Sequence, residues 1–198
     1  KSIFSRLDFL AMAELGARDG VFAEHESQII RNLLKFNTVR SADIMTPRTV
    51  VTAAPESQTI SAFHELHPDL PYSRIPLFRD DNPDHVTGYV LKGTLLTRLL
   101  QGRGDETVGS IRREMLAVPE TFPIREMFDR FLQTREHIAL VIDEFGGMAG
   151  IVTMEDLVET LLGTEIIDEL DQAADLREEA RRKWRRRVDR HGLIRPTP

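Results

Sequence analysis

One stretch of this chain recurs at an offset of 64 residues, and that recurrence limits the possible folds more than any other feature. Pro55-Glu56-Ser57-Gln58-Thr59-Ile60 returns as Pro119-Glu120-Thr121-Phe122-Pro123-Ile124, and the apolar run Ile75-Pro76-Leu77-Phe78 returns as Ala139-Leu140-Val141-Ile142. The chain is therefore expected to hold two copies of one unit. After a loop two residues shorter in the second copy, Gly88-Tyr89-Val90-Leu91 aligns with Gly150-Ile151-Val152-Thr153, and Thr94 aligns with Asp156. Only the second copy keeps a hydroxyl at the strand end and a carboxylate three residues on.

Each copy reads as a β-α-β-β-α unit. The expected elements are a short strand (50–54; 115–118), a helix (59–67; 124–134), two strands and a second helix. The segment Arg79 to His85 between the later strands of the first copy is polar and is expected to be a mobile loop. The matching Asp143-Glu144-Phe145-Gly146-Gly147 is shorter, with two glycines that permit positive φ, and is expected to form the tighter turn. Ahead of the repeats, Leu7, Leu10, Ala11, Ala13 and Leu15, then Ile29, Ile30, Leu33, Leu34 and Phe36, fall at helical spacing, with Gly20 as the break. Ser41 to Ile44 can start a short helix that Pro47 stops. The expected division is 1–38 as an N-terminal helical segment, 39–104 and 105–164 as the two repeats, and 165–198 as a charged tail. That tail is acidic at Glu165, Asp168, Glu169, Asp171 and Asp175, then basic from Arg181 to Arg187 around Trp184, and lacks a full apolar stripe.

Composition removes several function classes. A net charge of -6 argues against general nucleic-acid affinity. With no cysteine, disulfides, thiolate metal sites and thiol nucleophiles are excluded. No apolar run approaches the roughly 20 residues that cross a bilayer. The histidines show no paired metal spacing, since Pro68 ends the helix that carries His64 and His67. There is no phosphate-cradling Gly-rich loop, nucleophile elbow or H-E-x-x-H pattern, so the residues offer catalysis no support.

What the second copy does offer is Thr153 and Asp156. A strand-end hydroxyl and a first-turn carboxylate can converge on the two hydroxyls of a ribose. The same spacing also makes a helix cap, in which Thr153 and the acidic residue three positions on satisfy each other's backbone N–H groups. Both roles remain open, and they are compatible.

The duplicated unit ending in Gly150-Ile151-Val152-Thr153-Met154-Glu155-Asp156 resembles a CBS-domain pair. Four segments narrow the resemblance: Glu14-Leu15-Gly16-Ala17-Arg18-Asp19-Gly20-Val21; Ile44-Met45-Thr46-Pro47-Arg48-Thr49; Ser73-Arg74-Ile75-Pro76-Leu77; and Asp143 through Leu157. In this order they resemble the cytosolic part of the CNNM/CorC magnesium-transport family. The resemblance implies an α/β tandem CBS pair that is regulatory and not an enzyme, homodimeric, and located at the cytoplasmic face of a membrane. It implies an adenine nucleotide, ATP with Mg2+ (or AMP or ADP), in the cleft between the motifs, and a membrane domain upstream of Lys1. Many members carry a further FAD-binding-like domain after the pair, and no such pattern is read before Pro198.

Under that resemblance Thr153 and Asp156 would hold the ribose. Thr46 would lie near the nucleotide, and Ser73 and Arg74 would face the phosphates, where an arginine can pair bidentately. Met115, Leu116 and Val118 would wall the adenine, although an apolar strand can equally be plain core. Magnesium would be held mainly by phosphates and water, with Glu155 as the nearest protein carboxylate. The acidic run at Glu165 to Asp171 could instead bind metal or be a solvated face. Thr94 and Leu91 replace the ribose pair in the first copy, so one nucleotide per chain is expected. Tyr89 is expected to be a packed strand residue.

Overall fold

The computed structural model describes residues 5–79 and 81–163. The acidic and basic runs of the tail, Lys1 and part of the first hairpin lie outside them.

Two helices lead in. α1 (Arg6–Arg18) starts on a reciprocal cap, in which Ser5 Oγ accepts from the Asp8 N–H and the Asp8 carboxylate accepts from the Ser5 N–H. α2 (Glu24–Lys35) follows a turn in which Gly20 takes φ +72°, the positive value expected of the break. The buried Ser27 hydroxyl of α2 donates to the Ala13 carbonyl of α1 at 3.3 Å, so the pair docks with its interior polar group satisfied. After a 3₁₀ turn comes α3 (Ser41–Ile44).

The first repeat holds β1 (Thr46–Pro47), β2 (Ala54–Pro55), α4 (Ile60–Leu66), β3 (Arg74–Arg79), β4 (Asn82–Leu91) and α5 (Lys92–Leu100). The second holds β5 (Leu116–Pro119), α6 (Ile124–Thr134), β6 (Ile138–Ile142), β7 (Met148–Thr153) and α7 (Met154–Leu162). Each repeat makes a parallel pair followed by an antiparallel one, β2-β3-β4 and β5-β6-β7. The β-α-β-β-α order read from the sequence is present in both. The predicted strand over 50–54 contracts to β2 at its last residue, because Pro47 and Pro55 leave little ladder between them.

β1 does not join its own repeat. It pairs antiparallel with β7, Thr46 opposite Ile151 and Pro47 opposite Gly150, and extends the second sheet to β1-β7-β6-β5. The reciprocal crossing occurs before the second repeat, where Arg113 bridges Tyr89 of β4 with both backbone hydrogen bonds made, at 2.8 and 3.0 Å. The two cores follow this exchange. Phe36 and Ile44 join Val118, Ile124, Phe131, Val152 and Leu157 in the second core, while Val108 joins Ile60, Phe63, Ile75, Leu77 and Val90 in the first. Each leading segment thus buries its apolar residues in the other repeat, and separating the repeats would expose both cores.

The first hairpin departs from expectation. β3 ends at Arg79 and β4 begins at Asn82, opposite it, so much of the expected mobile loop is strand and this turn is the tighter of the two. The register shifts at Leu77/Phe78 and Phe78/Arg79 show how the excess residues are absorbed, as bulges. The second turn spans Asp143–Gly147 and is organised by one side chain. Asp143 Oδ1 accepts from the N–H groups of Phe145 and Gly147, both at 2.9 Å, and Gly146 takes φ +81°.

Candidate functional site

The second repeat's polar pair sits where β7 becomes α7, and the local chemistry is that of a helix start. The Asp156 carboxylate accepts from the Thr153 N–H at 2.7 Å and from the Thr153 hydroxyl at 2.8 Å, while the Asp156 N–H lies 3.4 Å from Thr153 Oγ1. This is a capping box, and Asp156 is only 7% exposed. A carboxylate has about four acceptor positions, so capping does not by itself exhaust Asp156 toward a ribose. In the first repeat Leu91 holds the equivalent cap position and makes no side-chain bond. The asymmetry visible in the sequence is therefore a difference in how two helices begin.

β1 brings Thr46 alongside the same strand, two residues from the junction in the ladder. Arg74, the first residue of β3, reaches across from the first repeat, its Nη1 3.9 Å from Glu155 Oε1. Thr46, Arg74, Thr153, Glu155 and Asp156 thus gather at one boundary between the repeats, with a guanidinium of one half facing the Glu155 carboxylate of the other. Ser73 stands beside them, exposed, with its carbonyl accepting from the Lys92 N–H at 2.9 Å.

The proposed adenine wall fares differently. Val118 is 2% exposed and belongs to the second core, packed there because β5 pairs in parallel with β6 and points this residue inward. It is a core residue. Leu116 packs against that same core, and Met115, half-buried, precedes the strand. β5 also lies at the opposite edge of the sheet from β1, with two strands between them.

The matching boundary of the first repeat is closed by Tyr89 together with Glu136 and Arg113, two residues that no sequence pattern singled out. The Tyr89 hydroxyl donates to Glu136 Oε2 at 2.9 Å, and Arg113 lies 5.9 Å from the ring centroid. Tyr89 is buried, as expected of a packed strand residue. Burial first, and then the Glu136 carboxylate, push its phenol above the usual 10.0. Arg113 occupies the register position that Thr46 has in the other half.

No group of three or more potential ligating side chains is arranged for a metal among the described residues. A groove of about 540 Å³ between the first repeat and the segment leading into the second, lined by Glu56, Ser57, Arg79, Thr107, Gly109 and Arg112 among others, shares no residue with the junction. Also among the described residues, no helix is long and apolar enough to cross a membrane.

Residues 108–163 match the CBS domain family model. The fold is similar to the solved CBS domain of a bacterial CNNM/CorC family Mg2+ transporter, with TM-score 0.75 and 29% identity over 84% of this chain and 100% of that one. A further structure of such a domain, in complex with ATP, is 32% identical with TM-score 0.67, over 71% of this chain and 99% of that one. The chain belongs to the CNNM/CorC family. Among curated relatives, a UPF0053 protein of Synechocystis sp. is 37% identical over 92% of this chain and 52% of its own length. The magnesium and cobalt efflux protein CorC of Escherichia coli is 29% identical over 91% and 62% respectively. The chain thus spans between half and two thirds of the length of these two relatives.

Proposed function

We propose that this chain is the regulatory, nucleotide-binding CBS pair of a CNNM/CorC-type divalent-cation transporter. It takes one adenine nucleotide, ATP with Mg2+, at the junction of β7 and α7. The observation that carries the reading is the one-sided convergence of Thr46, Arg74, Thr153 and Asp156 on that junction, against Arg113, Leu91 and Thr94 at the matching place. These residues fit an anion carrying a ribose, with hydroxyl and carboxylate acceptors on one side and a guanidinium on the other. The ATP complex of a similar CBS domain supports the choice of nucleotide. When bound, magnesium would neutralise phosphate charge while keeping most of its water.

In this reading the module works as a homodimer beneath its own membrane domain, at the cytoplasmic face. Exposed Leu66, Leu96, Leu100 and Leu132 on α4, α5 and α6 give it apolar helix faces to pair through. Ligand would favour one arrangement of the two repeats, and α2, which bonds to α7 through Asn32 Nδ2 and the Leu161 carbonyl at 3.2 Å, would pass that preference toward the membrane.

A second reading has one observation in its favour. Asp156 is nearly buried and already employed as a cap, which suits a dimerising scaffold without a ligand. Titration calorimetry with ATP, with and without magnesium, decides between them when run on the wild type and on Asp156→Ala, with the variant's fold checked by circular dichroism. Saturation near one per chain that the folded variant lacks supports the nucleotide sensor. The absence of heat, and of any thermal stabilisation at millimolar ATP, leaves the scaffold.

A further inference from the structure

Arg74 and Tyr89 share one face of the first repeat's sheet. In the β3–β4 ladder Arg74 pairs with Leu91 and Pro76 with Tyr89, so Arg74 and Tyr89 are diagonal neighbours, within reach of each other for a long side chain and an aromatic one. The opposite face carries Ile75, Leu77 and Val90 into the first core. The Arg74–Tyr89 face looks instead at the second repeat, where each of its two polar ends meets a carboxylate. Those meetings are unequal. Arg74 Nη1 stands 3.9 Å from the exposed Glu155, whereas the buried Tyr89 donates its hydroxyl to Glu136 Oε2 at 2.9 Å. The short bond to an ionised acceptor under partial burial is the stronger of the two. Glu136 is delivered to it by the backbone, following Arg135, whose left-handed φ of +57° ends α6. The charge of Arg74 also acts on the Tyr89 phenol.

We infer that Tyr89 is a positioning residue: its bond to Glu136 fixes the boundary face of the first repeat against the second and so holds Arg74 at the nucleotide junction. The inference rests on the nucleotide reading above and adds to it a residue that touches no ligand. Arg74 is carried by a strand of one repeat, while Thr153 and Asp156, with which it must work, belong to the other. A site divided in this way binds well only if its halves are in register before the ligand arrives, because ordering left undone lowers affinity. The Tyr89–Glu136 bond spans the same gap on Arg74's own face and supplies that register. The ring does not depend on the hydroxyl for its place. Tyr89 exchanges both backbone hydrogen bonds with Arg113, at 2.8 and 3.0 Å, and the Arg113 guanidinium lies 5.9 Å from the ring centroid. Tyr89→Phe therefore deletes the bond across the boundary and leaves the strand crossing intact.

The test is calorimetric titration of the full chain with ATP in excess magnesium and with adenosine. It uses the wild type, Tyr89→Phe, Arg74→Gln, Glu136→Ala, and Tyr89→Phe in each of the last two backgrounds, with folding checked by circular dichroism. Tyr89→Phe is expected to weaken ATP by about threefold to tenfold, the range one such hydrogen bond spans, and to change adenosine little. Beside Arg74→Gln, and beside Glu136→Ala, the same substitution should add little further loss. A wild type that binds ATP while Tyr89→Phe binds it equally well overturns the inference and leaves the nucleotide reading standing. So does a loss that persists undiminished beside Arg74→Gln or extends equally to adenosine, since Tyr89 would then support the fold at large. A loss that persists undiminished beside Glu136→Ala takes Glu136 out of the account and also overturns it. A wild type that binds neither compound overturns the nucleotide reading itself.

Discussion

Gly88 and Gly150 hold the same position in the two repeats, and each lies under the carbonyl of a strand crossing from elsewhere. A Cβ on Gly88 would fall well inside contact with the Arg113 carbonyl oxygen, and one on Gly150 inside contact with that of Thr46. Both obstacles are backbone in a ladder and cannot swing away. Gly88→Ala and Gly150→Ala are each expected to cost about 2–3 kcal/mol, read as a lowered urea midpoint at unchanged slope. If either variant unfolds at the wild-type midpoint, the crossing segments are not seated as described. Gly150→Ala should also displace Thr46, and so weaken nucleotide binding more than Gly88→Ala does.

Thr153 supplies the oxygen that starts α7, and its replacement separates the cap from the rest of the junction. Thr153→Ala is expected to lose about 1 kcal/mol, while Thr153→Ser keeps most of it. Urea unfolding of both variants checks this, and equal losses would mean that the threonine methyl, not the hydroxyl, is what matters.

The repeat was legible because its markers answer to backbone demands. The paired glycines are required by the crossings, and the apolar strands alternate with turn residues. The exchange of leading segments was not legible, because Ser41 to Ile44 and Val108 to Ile111 have little sequence in common although they dock alike: the Ser41 N–H donates to the Phe122 carbonyl and the Val108 N–H to the Gln58 carbonyl, both at 2.9 Å. The first hairpin was misread because Asp81, Asn82, Asp84 and His85 are polar. The start of β4 is exposed, so no burial pattern marks it as strand. At the site, Thr153 and Asp156 could be read from local spacing, but the cap and the ribose role share that spacing. The Arg74–Glu155 pair and the Tyr89–Glu136 bond join residues far apart in the chain, and no local pattern announces such partners.

The ends of α6 and α7 differ in one respect that can be measured. α7 stops on Gly163 at φ +72°, a conformation glycine adopts freely, whereas α6 stops on Arg135 at φ +57°. A left-handed arginine costs about 1 kcal/mol. Arg135→Gly is expected to recover up to that amount in urea unfolding, less what glycine adds to the freedom of the unfolded chain. A loss instead would show that the Arg135 side chain makes a compensating contact.

Glu56 holds three side-chain partners in the first repeat and its neighbouring segment, and it makes acid stability testable. It accepts from Arg112 Nη1 at 2.8 Å, from Arg79 Nε at 3.2 Å and from the Thr87 hydroxyl, tying the segment between the repeats to β3 and β4. Burial works to raise its pKa, but the hydrogen bonds from Thr87, Arg112 and Arg79 outweigh it and leave the carboxyl below the ordinary 4.5. A carboxylate depressed in the folded state contributes stability that is fully present above the unfolded value. That contribution falls away as the pH drops through 4.5 toward the folded value. Glu56→Gln is therefore expected to be less stable than wild type at pH 7, with a smaller further loss between about pH 5 and pH 3. Urea midpoints at these pH values for both proteins provide the check. Parallel acid curves would place the carboxylates responsible for acid unfolding elsewhere. Arg112→Ala should reproduce the flattening in part, because it removes one donor and leaves Arg79 and Thr87 in place.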